Sequence, residues 1–514
     1  MLRHSRTRAA GLLSMTALLA ITACSVGATG TPSRSAGDSA SAPTPTSATT
    51  PPTASTGAQE GTGISTGITV PNSTSAGSTS VSSPTAISST VGSSTPPSSS
   101  ASSAPTAGAT TSAARTSGGT TPTGISVTAA DRAKAAEIVG SMTLQDKATS
   151  VLMVTGSTVI GTGALSKQHY GGVILFAPKG VVDGTSAGTP AQVAAVTTHL
   201  RQDAASDPTG VPPLIGTDQE YGAVQRLKNG FTAFPGAIQL GSIDDAAQAA
   251  SLTREIATAA AQEMLAVGVT VNFAPVFGVL PTNGAASAIG QYGRSYGSNP
   301  QHVAALVAAA VTGYQQAGVV SAMKHFPGLA RIAADSHVTL PTLPVSCADW
   351  NAHEAIPAAA GVDAGALMVM TGHVLFPAVG DTTVPASISS DVVGKLLRGK
   401  GSQGCGGMGF TGVTMTDSLQ MEPITAHDGS GAAAVAALNA GEDLLLMPVD
   451  PAAAAAGIVR GVQSGALPSA RLDAAATAVL ALRIASARIP RPPLSVVKSA
   501  AHQALAAKAR AAAG

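Results

Sequence analysis

The chain has 514 residues, a formal net charge of +1 and only 11% charged residues. Globular chains usually carry about 25% charged residues, and a near-neutral chain lacks the clustered basic face by which proteins bind nucleic acid. Aromatic residues make up 3% of the chain, which argues against a platform for stacking successive bases. We therefore exclude a nucleic-acid partner. The length leaves room for a large single domain with long flanking segments.

The first 24 residues, 1–24, have the layout of a secretory signal peptide. Three arginines lie within the first eight residues, and the apolar run that follows, 11–23, is too short to span a bilayer. The run ends in Ile21-Thr22-Ala23-Cys24, which resembles the lipobox of bacterial lipoproteins. This resemblance implies that Cys24 carries lipid and that the protein is membrane-anchored or secreted outside the cytoplasm. An ordinary signal peptide with an incidental cysteine is the alternative.

Residues 25–125 consist mostly of Ser, Thr, Pro, Gly and Ala. A segment of this composition cannot bury enough apolar surface to offset the entropy lost on ordering, so we predict a disordered tether without chemistry. The globular domain is expected at 126–491. Residues 492–514 begin with a Pro-rich break and continue as an Ala-rich segment, which predicts a helical C-terminal tail.

Eight apolar runs in the globular part are continuous rather than alternating, as expected of parallel strands covered on both faces. They are 151–155, 172–177, 214–218, 269–277, 320–326, 366–373, 412–417 and 443–449. Helical patterns lie at 244–267, 301–317, 348–360, 431–440 and 469–489. The order predicts an α/β fold with one closed (β/α)₈ barrel of the TIM type. An open doubly wound sheet is the alternative, but it would need a Gly-rich phosphate-binding turn that is missing from the sequence.

The globular part contains two cysteines, Cys347 and Cys405. Two thiols outside the cytoplasm are candidates for a disulfide. The predicted strands, however, place Cys347 after one strand and Cys405 before another, towards opposite rims, so the sequence leaves the bridge open. There is no CxxC motif or close His/Cys cluster, and we expect neither a metal nor a cofactor.

Polar residues follow several predicted strands at their carboxyl ends, where TIM barrels hold their active sites. Asp218 and Arg226 follow the third run, Arg294 follows the fourth, Lys324 and His325 end the fifth, Asp335 and His337 follow it, and Asp417 ends the seventh. So many charged residues on one rim are hard to explain as solvated surface. His373 ends the sixth run, and the sequence does not decide between a structural and a functional role for it.

Two motifs in this region resemble those of family 3 glycoside hydrolases. Lys324-His325-Phe326-Pro327-Gly328 followed by Asp335-Ser336-His337 is similar to the KHFPG…DSH signature, with the bacterial β-N-acetylglucosaminidase branch nearest. Residues 409–419, GFTGVTMTDSL, are similar to the strand that carries the family's nucleophile. Further similar segments are 143–147, 171–176, 218–220, 272–276, 293–297 and 440–443. The resemblance covers the globular part in order and implies a one-domain member.

The resemblance implies a retaining, exo-acting β-N-acetylglucosaminidase on cell-wall or chitin-type saccharides. Asp417 would be the nucleophile, because a carboxylate is ionised at neutral pH. His337 would be the acid/base, since its unperturbed pKa is near 6.5, and Asp335 would orient the imidazole. The residues expected to bind the sugar are Asp218, Arg226, Arg294, Lys324 and His325. The expected partner is a saccharide containing N-acetylglucosamine, bound by a monomer.

The sequence departs from the family pattern in several places. Leu329 and Ala330 replace HG after KHFPG, Tyr221 and Ala223 replace a glycine and an arginine of DQEGGR, Gly278 replaces an aspartate after APV, and Ser418 replaces a second carboxylate. These changes keep two alternatives open, a β-glucosidase and a sugar-binding lipoprotein with little catalysis. A phosphorylase with the same site is a third, because a histidine does not repel phosphate. Residues 184–188 fit the GxSxG motif of serine hydrolases but lack a clear strand-to-helix elbow.

Overall fold

The structure is a computed structural model that describes residues 124–176, 188–207, 209–282, 284, 287–380, 382–426 and 428–514. Cys24, residues 25–123 of the predicted tether and Ser186 of the GxSxG motif lie outside the described residues. The packed part begins slightly before the expected boundary at 126. Ile125 is buried and donates its backbone N–H to the Gln315 carbonyl at 2.8 Å. Within the described ranges, no helix is long and apolar enough to cross a membrane.

Eight parallel strands form the central sheet. In chain order they are β1 (Leu152–Thr155), β2 (Gly172–Ile174), β3 (Leu214–Thr217), β4 (Val271–Asn272), β5 (Val320–Phe326), β6 (Met368–Thr371), β7 (Val413–Thr416) and β8 (Leu445–Leu446). Neighbours in the chain are neighbours in the sheet from β1 to β7, and β8 pairs with β1. A parallel bridge between Met415 and Leu444 joins β7 to the segment that leads into β8. The predicted (β/α)₈ barrel is therefore confirmed.

The strands read as continuous apolar runs because both of their faces are buried. Met153, Ile174 and Met370 belong to the cluster that fills the barrel interior. Val154 and Val369, their chain neighbours, belong to the larger cluster between the strands and the helices. Successive side chains of a strand thus point alternately into the barrel interior and into the layer between strands and helices, and both environments are apolar.

Two strands are shorter than the sequence indicated. The run 269–277 contributes only Val271–Asn272 as β4, since Pro275 has no N–H to donate to a ladder. Pairing resumes beyond it as a single parallel bridge between Val276 and Lys324. The run 443–449 likewise contributes only β8.

Helices cover the outside of the barrel. They are α1 (Ala129–Ser141), α2 (Leu144–Ser150), α3 (Gly156–Val159), α4 (Pro190–Asp203), α5 (Ala237–Gly241), α6 (Ala246–Ala266), α7 (Pro300–Gln316), α8 (Cys347–Ala352), α9 (Ala355–Asp363), α10 (Glu422–Thr425), α11 (Ser430–Ala440), α12 (Pro451–Ser464), α13 (Ser469–Ala487) and α14 (Ala500–Ala513), with a π-helix at Ser390–Leu397. The pattern at 348–360 forms two helices, which meet at the buried Glu354. The Oε1 atom of Glu354 forms an ion pair with Nε of Arg331 at 2.5 Å.

The C-terminal helix α14 packs against α5 and α6 in the outer layer of the barrel. His502 of α14 is buried, and its Nδ1 lies 2.8 Å from the carboxylate of Glu263 in α6. The same carboxylate accepts the backbone N–H of Lys498 at 2.9 Å. Burial alone would raise the pKa of Glu263, but these hydrogen bonds lower it, so the tail is held by an ionised buried carboxylate.

The open question of the two cysteines has a definite answer in the structure. Cys347 at the start of α8 and Cys405 form a disulfide, with their Cα atoms 4.5 Å apart. Cys405 lies in a short hairpin, Gly401–Ser402 with Cys405–Gly406, that packs against α8. The side chain of Asn351 donates to the Gly404 carbonyl at 2.9 Å and fixes this contact.

Glu442 lies between the sheet and the helices and is fully buried. Its Oε1 accepts a 2.5 Å hydrogen bond from Thr371, while Oε2 has no partner among the described residues. Burial raises the pKa of Glu442 to about 8. The folded state therefore keeps the carboxyl protonated at pH values where the unfolded chain, with a pKa near 4.5, releases the proton.

This difference makes the free energy of unfolding fall as the pH rises from about 4.5 to about 8. We expect Glu442→Gln to gain stability relative to the parent by up to about 3 kcal/mol between pH 5 and pH 8. Urea unfolding of both proteins at the two pH values measures this. Glu137, whose side chain is 71% exposed, provides the control Glu137→Gln. A stability difference for Glu442→Gln that does not change with pH would contradict the prediction.

Candidate active site

Seven of the polar residues singled out in the sequence line one cavity of about 360 Å³ at the carboxyl end of the barrel, whereas Asp335 and His373 do not. Its polar lining contains Asp218, Arg226, Arg294, Lys324, His325, His337 and Asp417, and also Glu220. Its apolar floor is formed by side chains of alternate strands, among them Ile174 of β2, Met370 of β6 and Leu446 of β8. The volume lies in the range of small-ligand pockets, about 300–1,000 Å³.

Asp417 directly follows β7, and its backbone N–H extends the ladder by donating to the Thr371 carbonyl at 2.8 Å. Its Oδ1 accepts the backbone N–H of Ser418 at 2.7 Å. Its Oδ2 lies 3.9 Å from Nε2 of His325. Burial by itself raises the pKa of Asp417, but the imidazoles of His325 and His373 and the Ser418 N–H outweigh it and lower the pKa. Asp417 is thus a fixed carboxylate that is ionised at neutral pH.

His325 is 7% exposed and lies between Asp417 and two cations. Burial lowers its pKa, Lys324 and Arg294 lower it further, and the attraction of Asp417 does not compensate. The pKa is well below its usual value, so the imidazole is neutral at pH 7. Nδ1 has no hydrogen-bond partner among the described residues. A neutral imidazole can donate from one nitrogen and accept at the other, which suits the binding of a hydroxyl group.

Lys324 is the centre of a buried ion-pair network. Its Nζ donates to Asp218 at 2.6 Å and lies 2.8 Å from Oε1 of Glu220. Arg294 binds the same Glu220 through two parallel bonds of 2.8 and 2.9 Å. Burial alone would lower the pKa of Lys324, but Asp218 and Glu220 raise it. Burial would raise the pKa of Glu220, but Lys324 and Arg294 lower it to about 2. Lys324, Glu220 and Arg294 are therefore charged.

Glu220 is the site residue that the sequence analysis did not single out. It bridges Lys324 and Arg294, which come from β5 and from the loop after β4. A signal for it was present, because Asp218 and Glu220 are two residues apart next to a strand and such residues point to the same side. Glu220 lies in a short antiparallel hairpin formed by Gln219–Tyr221 and Val224–Gln225, and Asp218 immediately precedes it.

Arg226 lies at the edge of the cavity. Its guanidinium is 4.3 Å from the centre of the Phe176 ring, a cation–π contact, and its Nε is 3.9 Å from Oδ2 of Asp218. The Nε atom has no hydrogen-bond partner among the described residues. The head group is therefore positioned by a ring and a distant charge at the edge of the cavity.

Asp335 and His337 lie in the loop after β5. Asp335 Oδ1 accepts the backbone N–H of His337 at 2.9 Å and lies 2.7 Å from Nδ1 of the same residue. The carboxylate therefore places a proton on Nδ1 and leaves Nε2 for other partners. Burial by itself raises the pKa of Asp335, but the two bonds to His337 help to outweigh it, and the pKa is lowered. The side chains are 58% and 66% exposed, so water reaches the pair directly.

His373 is a structural residue. It is fully buried, with Nδ1 2.7 Å from the Ser387 hydroxyl and Nε2 2.8 Å from the Ser418 carbonyl. Burial lowers its pKa, which matches a neutral ring that donates to Ser418 and accepts from Ser387. His373 thereby holds the residue next to Asp417 without lining the cavity.

A model of the glycosyl hydrolase family 3 N-terminal domain matches residues 143–482, which contain the whole barrel from α2 into α13. The chain belongs to glycosyl hydrolase family 3. It is therefore a glycoside hydrolase, as the two motifs implied.

Several known proteins resemble the chain over more than half of its length. The β-hexosaminidase of Tolumonas auensis is 35% identical over 302 residues, which are 58% of this chain and 81% of the relative. The β-hexosaminidase A of Pseudoalteromonas piscicida is 32% identical over 299 residues, which are 55% of this chain and 47% of that relative. The structure of a family 3 β-N-acetylglucosaminidase from Paenibacillus sp. has a TM-score of 0.64 at 34% identity, covering 72% of this chain and 68% of that one. The β-N-acetylhexosaminidase of Beutenbergia cavernae has a TM-score of 0.58 at 31% identity, covering 66% and 98%.

Two departures of this family 3 enzyme from the family pattern compensate each other. A Cβ atom on Gly278 would lie 2.5 Å from the Cβ of Ala330, which is closer than atoms can pack. The larger residue at 330 therefore requires glycine at 278. Ala330 and its neighbour Leu329 are buried, so the loop that leads from Lys324 to Asp335 is packed rather than loosened by the change.

Tyr221 stands where the pattern has glycine, and its φ of +65° shows why glycine suits the position. A bulky residue in this region costs roughly 1–2 kcal/mol of conformational energy. The Tyr221 ring is buried and packs edge-on against Phe234, with ring centres 5.3 Å apart. This burial offsets the strain and keeps the neighbouring Glu220 in place.

Proposed function

We propose that the protein is a retaining, exo-acting β-N-acetylglucosaminidase that acts on cell-wall or chitin-type saccharides. The observation that carries the proposal is that Asp417 and His337 line one cavity together with the buried charges around Lys324. The names of its relatives, β-hexosaminidase and β-N-acetylglucosaminidase, support the choice of sugar.

In the first step Asp417 attacks the anomeric carbon of the terminal sugar. The carbon–oxygen bond to the leaving group breaks and a covalent glycosyl-enzyme forms. The lowered pKa of Asp417 supports this role, because the ionised carboxylate is a much stronger nucleophile than the protonated acid. Its Ser418 and Thr371 hydrogen bonds fix the carboxylate on the rigid end of β7.

His337 donates a proton to the leaving oxygen in that step and accepts one from water in the next. Asp335 holds Nδ1 and stabilises the imidazolium that precedes donation. Water then attacks the glycosyl-enzyme, breaks its bond to Asp417 and releases the sugar with net retention. The exposure of the pair gives this water a direct path.

The charged groups of the cavity bind the sugar. Lys324, Arg294 and Arg226 donate to hydroxyl or acetamido oxygens, and Asp218 accepts from hydroxyls. Since these ion pairs exist before substrate binds, the donors need little reorganisation. A cavity of about 360 Å³ takes one terminal sugar, which supports exo action.

We also propose that Cys24 carries lipid and that residues 25–125 tether the barrel to a membrane outside the cytoplasm. The disulfide between Cys347 and Cys405 supports this location, because disulfides persist in oxidising compartments. Metabolic labelling with a fatty acid, compared between the parent and Cys24→Ala, tests the anchor.

The acid/base assignment predicts a dependence on the leaving group. His337→Ala is expected to lower kcat about 100-fold or more for the 4-methylumbelliferyl β-N-acetylglucosaminide. The loss should shrink to roughly tenfold or less for the 2,4-dinitrophenyl glycoside, whose leaving group needs no proton. Stopped assays with both substrates measure this, with and without phosphate.

An equal loss for the two leaving groups would contradict the acid/base role of His337. Release of sugar 1-phosphate instead of free sugar in phosphate buffer would replace hydrolysis by phosphorolysis. An aryl β-glucoside in the same assay tests the choice of sugar. His199, which is half exposed in α4, provides the control variant His199→Ala, which should keep full activity.

A further inference from the structure

A second, smaller recess adjoins the main cavity. The two share Arg294, His325, His337 and Asp417 in their linings. The groups proposed to make and break the glycosidic bond therefore lie at the junction of two spaces. The bond that is cleaved joins a sugar to its leaving group, so each space corresponds to one side of that bond.

The wall of the recess contains Tyr292, whose side chain is in an unusual environment for this protein. Tyr292 is 57% exposed, whereas the other four tyrosines, Tyr170, Tyr221, Tyr296 and Tyr314, are at most 6% exposed. Most of the Tyr292 side chain therefore lies outside the packed core. The ring is available to a ligand.

The backbone presents Tyr292 on a firm turn. Tyr292 ends the 3₁₀ helix Gly290–Tyr292, in which Gly290 donates to the Ser287 hydroxyl at 3.0 Å and Gly293 donates to the Gly290 carbonyl at 2.9 Å. Gly293 has a φ of +61°, a conformation that favours glycine. The Gly293 carbonyl accepts the backbone N–H of Ile238 at 3.3 Å.

The next residue, Arg294, is locked to Glu220 by its two parallel bonds. Tyr292 is thus two residues from a group that is fixed in the sugar-binding cavity. Because Tyr292 is so close in the chain to the fixed Arg294, its ring stays near the junction of the two spaces. The fold therefore sets its distance from a bound saccharide.

We propose that Tyr292 forms the binding site for the sugar on the leaving-group side of the scissile bond. This inference rests on the proposed function and extends it to the substrate's second residue. The negative face of the aromatic ring attracts the C–H groups of a pyranose face. The amide of Gln291, which also lines the recess, is of the type that hydrogen-bonds hydroxyl groups.

The size of the recess fits stacking rather than enclosure. Its own volume is about 60 Å³, which is too small to enclose a sugar. The leaving-group sugar would lie across the exposed ring with only its reacting oxygen at the junction. The structure therefore assigns a preference for oligosaccharides over glycosides with a small leaving group.

Binding to catalytically inactive protein separates the two sides of the bond. In the Asp417→Asn background, Tyr292→Ala is expected to weaken the binding of N,N′-diacetylchitobiose about fivefold. The binding of methyl β-N-acetylglucosaminide, which has one sugar, should change less than twofold. Tyr292→Phe should keep the affinity for both, because the ring and not the hydroxyl makes the contact. Isothermal titration calorimetry measures the affinity of each variant for both ligands.

Leu494 is 42% exposed in the tail and lines neither cavity, so Leu494→Ala controls for the loss of an exposed apolar side chain. Unchanged chitobiose affinity in Tyr292→Ala, or an equal loss for both ligands, would overturn the inference. Failure of the parent enzyme to release sugar from chitobiose would instead contradict the proposed function. Thermal unfolding of each variant shows whether the fold is retained.

Discussion

Asp417→Asn is expected to lower kcat on an aryl β-N-acetylglucosaminide by roughly ten-thousandfold or more, because the amide has no charge with which to attack the anomeric carbon. The substitution keeps the shape of the side chain and the acceptor oxygen that Ser418 binds at 2.7 Å. The affinity for the sugar should therefore change only a few-fold. Release of the aryl group under saturating substrate, with calorimetric binding of the product, measures both quantities.

Asp244 is an exposed aspartate of the same barrel, and Asp244→Asn should leave kcat unchanged. Circular dichroism and the unfolding midpoint show whether Asp417→Asn keeps the fold. Residual activity above about 1% with an intact fold would contradict the role of Asp417 as nucleophile. Loss of binding together with activity would point instead to a carboxylate that only holds the substrate.

Lys324→Met is expected to lower the free energy of unfolding by about 3–5 kcal/mol, the usual cost of leaving a buried charge without its partner. Lys324 is 3% exposed, and it is bound by Asp218 and Glu220 at 2.6 and 2.8 Å. After the substitution Glu220 keeps its two bonds to Arg294, whereas Asp218 keeps only Arg226, whose Nε is 3.9 Å away. Activity should fall at least about 100-fold, because the same amine is proposed to bind the sugar.

Urea unfolding at pH 7 measures this loss. Lys134 forms an exposed pair with Glu137 at 3.1 Å, with side chains 56% and 71% exposed, and Lys134→Met should cost less than about 1 kcal/mol. The double variant Lys324→Met with Asp218→Asn should recover part of the stability, because it removes the carboxylate that lost its close partner, while Glu220 keeps Arg294. A loss for Lys324→Met no larger than that of Lys134→Met would show that the network is not a buried, low-dielectric cluster.

The fold was accessible from the sequence because its signals are local. Each strand of the barrel is a short apolar run bounded by turn residues, as in Val320–Phe326, and such a run is visible without knowledge of its partners. The site residues follow from the same logic, since polar groups at strand ends share one rim. The lengths of β4 and β8 were overestimated, because an apolar run shows burial and not hydrogen bonding.

The structure decided other features through contacts between distant residues. Lys324 and Asp218 are 106 residues apart, and nothing near either one indicates that they and Glu220 form a network. Three further features depend on such contacts. They are the close packing of Gly278 against Ala330, the hydrogen bonds of His373 and the disulfide between Cys347 and Cys405.

The sequence by itself determined that this chain folds as an eight-stranded barrel, and it indicated polar side chains that line the cavity at the carboxyl end, but not Glu220. Only the tertiary structure decided how those side chains pair, which of them are buried, and that Tyr292 faces water beside Asp417. The physical reason is that strand and helix formation depends mainly on residues close in the chain. Hydrogen bonds, ion pairs and close packing depend on atoms brought together from different strands, at distances that only the closed barrel fixes.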